Sequence, residues 1–334
     1  MASRLTAETR PGRIVAIVGP TASGKSDLAI AVARRFHGEV VSCDSVQVYR
    51  GLDIGSGKPS FEDRRLVRHH LIDILDLTEA MNAGVFAEAA GEAIAETIRR
   101  GRLPIVTGGT GLYLTALLKG LFDQGGADPA IRARLDAIAD RRGGPRLHRL
   151  LASKDPDYAA RTKPTDRIRV VRALEVFFAL GRPFSVAQKE RKPAFSGESL
   201  IIGLDPGREE LRRRVTARVT RMLDEGLVAE AARALGSVGA GAPRPRALGA
   251  IGYREVVERL EAGGADPCGD GELLRAIVNS TMQYAKRQMT YFRRQFEVEW
   301  FSRPEDALAR VGQWIKGGDM DRSGVQITTD GSLA

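Results

Sequence analysis

Ile14-Val15-Ala16-Ile17-Val18, short, apolar and β-branched, runs directly into Gly19-Pro20-Thr21-Ala22-Ser23-Gly24-Lys25-Ser26, after which Leu28, Val32 and Arg35-Phe36 recur at helical spacing. The eight residues fit G-x-x-x-x-G-K-[ST] at every fixed position. They sit where a strand turns into a helix, the context that gives this motif its meaning. Gly19 and Gly24 let the backbone curl until several N–H groups point inward. Those groups, the helix N-terminus and the Lys25 ammonium form an anion cradle. The Ser26 hydroxyl can reach a Mg²⁺ ion carried by the phosphates. The bland alternative, a glycine turn that merely caps a helix, does not need all of these parts. The stretch predicts a di- or triphosphate site, without saying which ester binds or what is done with it.

Outward from this loop, the first 120 residues alternate strand and helix signals. Strands are expected at 13–18, 39–43, 71–75 and 104–107, and helices at 24–36, 84–100 and 111–119. This is the βαβ pattern of a parallel sheet covered on both faces. Phe122 to Pro129 is a Gly-rich hinge without periodicity. Helices are then expected at 128–141, 145–152, 155–161 and 165–180, the last capped by Thr165 and ended by Gly181 and Pro183. Ser199–Leu204 reads as a strand again, followed by Asp205-Pro206 as a cap and first-turn pair. The fold class is therefore α/β, a P-loop NTPase-like core with a parallel sheet, plus an inserted all-helical domain. The core covers 13–121 and 196–316, the insert 122–195, and a polar tail over 317–334 is expected to be disordered.

Composition narrows the setting. The apolar fraction of 43% over 334 residues suits a globular chain, and the longest apolar runs are too short to span a bilayer. Met1 to Arg13 contains no apolar stretch of signal-peptide type. Cys43 and Cys268 lie far apart with no metal-ligand spacing, which suits a reducing cytosol and argues against a Cys-based zinc site. A cytoplasmic protein without membrane contact is expected, and nothing demands more than a monomer. The net charge is +9, yet between Asp128 and Lys192 stand 16 Lys and Arg against 8 Asp and Glu, so almost the whole surplus falls in the insert. A phosphate pocket does not need a whole segment of surplus arginine. A nucleic-acid backbone does, because each neutralised phosphate releases condensed counterions. A solvated basic surface is the alternative.

Several further positions bear on chemistry. Asp44 falls just past the strand Glu39–Cys43, at the carboxyl end where open α/β sheets bind ligands. There it would hold Mg²⁺ through water or accept a proton from a nucleophile, or simply cap a turn. Ile105-Val106-Thr107-Gly108-Gly109-Thr110-Gly111 is a second strand followed by a Gly-rich turn, a second donor set opposite the first loop or a tight connection. Arg214, Arg218 and Arg221 share one helix face, a phosphate clamp or a solvated stripe. Lys286 to Arg294 mixes cations with aromatics on one long helix, a combination suited to stacked bases and phosphates, although Phe292 and Phe296 also suit a core. His69-His70 has no partner at metal spacing and reads as structural. No Asn/Thr-Lys-x-Asp signature marks a GTPase, and no apolar strand ends in the tandem acidic pair of an ATPase.

Taken in order, these segments resemble the tRNA dimethylallyltransferase (tRNA isopentenyltransferase) family. The matching stretches are Gly19 to Ser26, Asp44-Ser45-Val46-Gln47-Val48-Tyr49, Leu52-Asp53-Ile54-Gly55 through Lys58-Pro59, Gly108-Gly109-Thr110-Gly111-Leu112-Tyr113, Arg172-Ala173-Leu174-Glu175-Val176, Ile251-Gly252-Tyr253-Arg254 and Ala285-Lys286-Arg287-Gln288. They span about residues 14 to 300. Cys43, Gly249 and the tail past 317 depart from the pattern without touching the chemistry.

The resemblance implies a P-loop, Gly19-Pro20-Thr21-Ala22-Ser23-Gly24-Lys25-Ser26, that holds the pyrophosphate of dimethylallyl diphosphate rather than a nucleotide, with Mg²⁺ on Ser26, an ion that Asp44 could also hold through water. It implies a helical insert that grips the tRNA anticodon stem-loop, and an adenine flipped out of its stack. It assigns catalytic roles to Asp44, Thr110 and Arg218. Contacts to tRNA are implied for Asp44-Ser45-Val46-Gln47, Thr110, Arg132, Ile168-Arg169-Val170-Val171-Arg172, Gly249-Ala250-Ile251-Gly252-Tyr253-Arg254 and Lys286-Arg287-Gln288-Met289-Thr290-Tyr291-Phe292-Arg293. The residues by themselves leave two other readings open: a P-loop small-molecule kinase whose basic helical insert is a lid over ATP, and a nucleic-acid-binding module with a vestigial P-loop.

Overall fold

The structure, a computed structural model, describes residues 12–121, 129–238, 244–262 and 271–323. Residues 122–128 of the hinge expected over 122–129, Cys268 and the end of the tail from 324 lie outside them. The elements run β1 (Arg13–Val18), α1 (Lys25–Arg35), β2 (Gly38–Ser42), α2 (Phe61–Leu66), β3 (His69–His70), α3 (Ala83–Arg99), β4 (Leu103–Thr107), α4 (Gly111–Lys119), α5 (Pro129–Arg142), α6 (Gly144–Lys154), α7 (Pro156–Ala160), α8 (Arg167–Leu180) and α9 (Phe184–Ala187). They continue with β5 (Glu198–Leu204), α10 (Arg208–Asp224), α11 (Leu227–Gly236), α12 (Tyr253–Glu261), α13 (Glu272–Gln295), β6 (Glu299–Phe301) and α14 (Pro304–Ser323).

The six strands form one parallel sheet in the order β3-β2-β4-β1-β5-β6. β1 is central. Ile14, Val15, Ala16 and Ile17 are wholly buried, as a strand covered on both faces must be. One face packs under α1 and α14 through Leu28, Val32, Ala307 and Val311. A second core joins α10 to α13 around Val48, Leu52, Val215, Leu227, Tyr253 and Ile277. The chain divides into two compact units: residues up to Leu114 together with those from Ser196, and the segment Thr115–Phe195. The second unit begins within α4, ahead of the composition change at 122. Apart from one antiparallel bridge between Leu121 and Lys192, its described elements are helices, and it has its own core of Leu135, Leu147, Leu151, Val171, Leu174 and Phe184. No helix among the described residues is long and apolar enough to cross a membrane.

Several expectations are corrected. The strand expected at 71–75 is replaced by the two-residue β3, because Leu71 (φ 61°) and Asp73 (φ 57°) take left-handed conformations that cannot continue an extended run. Helix α2 was not expected. It is a short exposed turn held by a capping box between Ser60 and Asp63. The cap of α8 is Asp166, whose carboxylate accepts from the Arg169 N–H, not Thr165. Asp205 does not cap α10: it accepts from the Gly207 N–H in a turn, and Gly207 is the cap. Helix α14 runs to Ser323, past Gly317 where order was expected to end. A helix seeded by buried Ala307 and Val311 propagates at little cost per residue. The structural reading of His69-His70 fits the geometry: His70 Nε2 lies 2.7 Å from Glu39 Oε2, and His69 Nδ1 lies 2.8 Å from the Val67 carbonyl.

Candidate functional site

The first glycine loop leaves β1 through Gly19 (φ 146°), where a Cβ would stand 2.6 Å from the Leu204 carbonyl oxygen of β5. A side chain is excluded there by the neighbouring strand. The loop closes on itself, with the Ser23 N–H donating to the Pro20 carbonyl at 3.2 Å, and it enters α1 through Gly24 in the left-handed conformation. Lys25 Nζ folds back to donate to the Pro20 carbonyl at 2.7 Å. Arg214 of α10 donates from Nη1 to the Ser23 carbonyl at 3.2 Å. These two cations, both bordering the same cavity, hold the loop carbonyls of Pro20 and Ser23.

A cavity of about 1220 Å³ opens at the carboxyl ends of the strands, bordered by Thr21 to Asp27, Asp44 to Gln47, Gly108-Gly109, Arg218, Gly249 to Gly252, Arg254, Tyr284 and Arg287. Burial and the neighbouring Arg218 charge pull the Lys25 ammonium from 10.5 down to about 8, partly opposed by Asp44. Burial also lowers the pKa of the Arg218 guanidinium, with Asp44 again opposing. Lys25, Arg218 and Asp44 are thus electrostatic neighbours inside one cavity. Burial pushes the Tyr284 hydroxyl up to about 12, so it stays a neutral donor.

Asp44 follows β2. Its Oδ1 accepts from the Val46 N–H at 2.8 Å and the Gln47 N–H at 3.2 Å. One carboxylate oxygen therefore holds the turn, while Oδ2 accepts no hydrogen bond among the described residues. The second glycine loop is laced to the same place. The Cys43 N–H donates to the Thr107 carbonyl at 2.7 Å, and the Thr110 N–H donates to the Cys43 carbonyl at 3.3 Å. A Cβ on Gly108 would lie 2.9 Å from Cys43 Cα. Gly108 and Gly109 border the cavity, and Thr110 is the next residue along the loop.

Contacts that motif reading does not show, and one residue it missed, Glu230, complete the wall. The hydroxyls of Ser23 and Thr107 are buried without a partner among the described residues, and both border the cavity. Glu230 of α11 is buried and accepts from the N–H groups of Asp53, Ile54 and Gly55 and from the Tyr253 hydroxyl. The Tyr253 oxygen in turn accepts from the Ser56 N–H at 3.1 Å. Gln47 Nε2 donates to the carbonyl of Gly57 at 3.2 Å. The loop from Asp53 to Gly57 is thereby pinned from two sides, and Gly57 faces the Arg218 guanidinium. No short motif contains a carboxylate nearly 180 residues away that reads three backbone N–H groups.

The implied tRNA contacts fall into two classes. Ile168 (81% exposed) and Arg169 project from α8, whereas Val170 and Val171 belong to the core of the insert. Arg132 and Arg172 both bind the buried Glu175, Arg132 through two nitrogens at 2.7 and 3.0 Å and Arg172 at 3.0 Å. On α13, Lys286, Arg287, Thr290 and Arg293 are exposed, while Met289 and Tyr291 are half-buried. Gln288 and Phe292 are buried, as is Tyr253 on α12. An RNA cannot meet those three side chains directly.

Among the described residues no three His, Cys, Asp or Glu side chains gather as a metal cage. The Ser26 hydroxyl and Asp44 border the same cavity. That donor set suits Mg²⁺ brought in on phosphate oxygens and keeping its waters, since this ion is held by one or two protein oxygens plus substrate rather than by a cage.

Over residues 47–295 the chain matches the IPP transferase family. It is 48% identical over 301 residues to the tRNA dimethylallyltransferase of Geobacter metallireducens, covering 89% of this chain and 94% of that one. Among solved structures, the full-length tRNA isopentenylpyrophosphate transferase of Bacillus halodurans is 35% identical, with a TM-score of 0.65 covering 93% of this chain and 98% of that one. A eukaryotic dimethylallyltransferase acting on tRNA is 25% identical with a TM-score of 0.76, covering 92% of this chain and 80% of that one. A family match across three quarters of the chain, joined to a parallel sheet that carries a glycine-loop anion cradle, places this protein in the IPP transferase family, that of the tRNA dimethylallyltransferases.

Proposed function

We propose that the chain transfers the dimethylallyl group of dimethylallyl diphosphate to N6 of the adenosine 3′ to the anticodon, in tRNAs that read codons beginning with U. The observation that carries this reading is the one cavity in which an anion cradle, two half-buried cations and a carboxylate with one unengaged oxygen are neighbours. Family membership selects prenyl transfer over the kinase and the vestigial-loop readings.

The chemistry follows from charge. Adenine N6 is a weak nucleophile because its lone pair is drawn into the ring. Attack on the allylic carbon succeeds only as the diphosphate leaves and its growing charge is met. The loop N–H groups, Lys25 and Arg218 meet it, in a site where preorganised donors need no rearrangement. Thr110 would contact the oxygen bridging diphosphate and allyl group. When bound with the donor on Ser26, Mg²⁺ would supply further neutralisation of the leaving group. A bond forms between N6 and the allylic carbon, the carbon–oxygen bond breaks, and the N6 proton passes to Asp44 Oδ2. The base reaches this pocket by leaving its stack, since a stacked amine cannot meet a buried electrophile. The surplus arginines of the insert suit the anticodon arm.

The test is incubation of the protein with dimethylallyl diphosphate, Mg²⁺ and unmodified tRNA, followed by mass spectrometry of the nucleosides. A five-carbon gain on the adenosine beside the anticodon, without any nucleotide cofactor, is the expected outcome. Turnover of ATP with no gain on tRNA would refute the reading.

A further inference from the structure

Gln288 stands inside the stretch Lys286–Arg293, whose residues are implied to touch tRNA, yet its side chain is only 4% exposed. Its Oε1 accepts from the Thr21 N–H of the first glycine loop at 3.0 Å. Its Nε2 donates to the Gly109 carbonyl of the second at 2.9 Å. A backbone N–H can only donate and a carbonyl can only accept, so these two partners dictate which way the amide faces. The fit is close: a Cβ on Gly109 would collide with Nε2 and stand 3.4 Å from Cδ. On its other side the second loop is bonded backbone to backbone to Cys43, next to Asp44.

We infer that Gln288 is a positioning residue: its amide sets the spacing between the loop that cradles the departing diphosphate and the loop that carries Thr110. The inference rests on the proposed function for why that spacing matters, and on geometry alone for the pin itself. A flexible gap between these loops would let the diphosphate and its bridging oxygen be gripped out of register, and small displacements are costly in a preorganised site. Because α13 also exposes Lys286, Arg287 and Arg293, the helix that carries these cations fixes the phosphate loops through its buried side.

Two variants test this. Gln288→Met removes both loop hydrogen bonds, and the side-chain hydrogen bond with Tyr284, at similar volume. Gln288→Glu keeps the acceptor, but its ionised form opposes the Gly109 carbonyl; once protonated, the carboxyl group reproduces the donor–acceptor pair of the amide. The titratable partner of Gln288 is Tyr284 on the same helix, which feels Cys43 and Asp44 after β2 and Arg287 on α13, while Lys25 on α1 and Arg218 on α10 border the same cavity. Each pH point is therefore taken as a ratio to wild type. With inorganic diphosphate as the probe, both variants are expected to bind about tenfold more weakly near neutral pH, from loss of a buried hydrogen bond and an unsatisfied partner. As pH falls towards about 5.5 the Gln288→Glu ratio should return towards one, because burial holds the introduced carboxyl protonated, while Gln288→Met stays weak. Hydrogen exchange at Thr21 to Lys25 and Gly108 to Thr110 should rise in parallel, and affinity for tRNA should not change. Wild-type-like exchange at both loops in both variants would overturn the inference. So would a Gln288→Glu defect that ignores pH, or a loss confined to tRNA affinity. The exchange measurement needs neither donor nor tRNA. Failure of wild-type prenyl transfer would thus count against the proposed function and leave the pin to be judged separately.

Discussion

Gly57→Ala isolates the contribution of Arg218. Gly57 has φ 59°, and a Cβ there would lie 2.7 Å from Arg218 Cζ and nearer still to Nη2. Placing an L side chain in this left-handed conformation costs about 1–2 kcal/mol. The collision itself is cheap to relieve, because Arg218 makes no hydrogen bond among the described residues and its guanidinium can swing away. Stability is thus expected to fall by little more than the backbone term. Position is another matter. A guanidinium that neutralises the departing diphosphate acts like an oxyanion-hole donor, and loss of one such donor lowers kcat by about 10²–10³. Gly51→Ala is the matched control: its φ is 76°, so it carries the same backbone strain, but nothing lies within 4 Å of the added methyl. Single-turnover transfer at saturating donor and tRNA, with calorimetric melting of both variants, separates the two effects. Equal melting with a large rate loss in Gly57→Ala alone is the expected result. Indistinguishable rates for the two variants would refute the placement of Arg218 in the reaction. A much lower melting temperature for Gly57→Ala would refute the claim that the clash is absorbed by side-chain motion.

Asp44→Asn keeps the Oδ1 acceptor that holds the Val46 and Gln47 N–H groups but removes the base. It should reduce transfer by about 10²–10⁴ while leaving tRNA binding in a filter assay nearly unchanged. Lys25 makes diphosphate binding proton-linked. Its pKa in the free protein is lowered to about 8, so the charge is present below that pH and lost above it, whereas a bound anion raises the pKa again. Calorimetric affinity for inorganic diphosphate should therefore fall as pH rises through 8, with proton uptake on binding, and Lys25→Arg should remove both effects. Neutralising the exposed pair Arg141 and Arg142 on α5 should flatten the salt dependence of tRNA affinity by about one unit of slope per lost phosphate contact, measured by titration across ionic strengths.

Much of the site could be read from order along the chain. A phosphate cradle is built from consecutive backbone N–H groups, so its residues must be adjacent, and glycines at two fixed positions betray it. Asp44 was placed by one rule, that ligands gather beyond the carboxyl ends of parallel strands, and it borders the same cavity as the first glycine loop. The helical insert announced itself by its charge. Local signals failed at 71–75, where the Asp73 and Ile74 N–H groups donate to the distant Gln47 and Val48 carbonyls and Leu71 and Asp73 are left-handed; at α2 the six residues carry no apolar stripe, and the signal that was there, the Ser60–Asp63 capping box, is a short local one.

The sequence by itself determined the α/β core, the anion cradle at the end of β1 and the family, because each depends on near neighbours in the chain or on their order. Only the tertiary structure decided which side chains face the reaction and which hold the frame. Glu230 reaches Asp53 to Gly55, and Gln288 reaches Thr21 and Gly109, across separations of 175 residues or more. Arg132 is drawn onto the buried Glu175 from 43 residues away. A buried polar group must find a partner wherever the fold provides one, and that choice is made by packing in space, not by spacing along the chain.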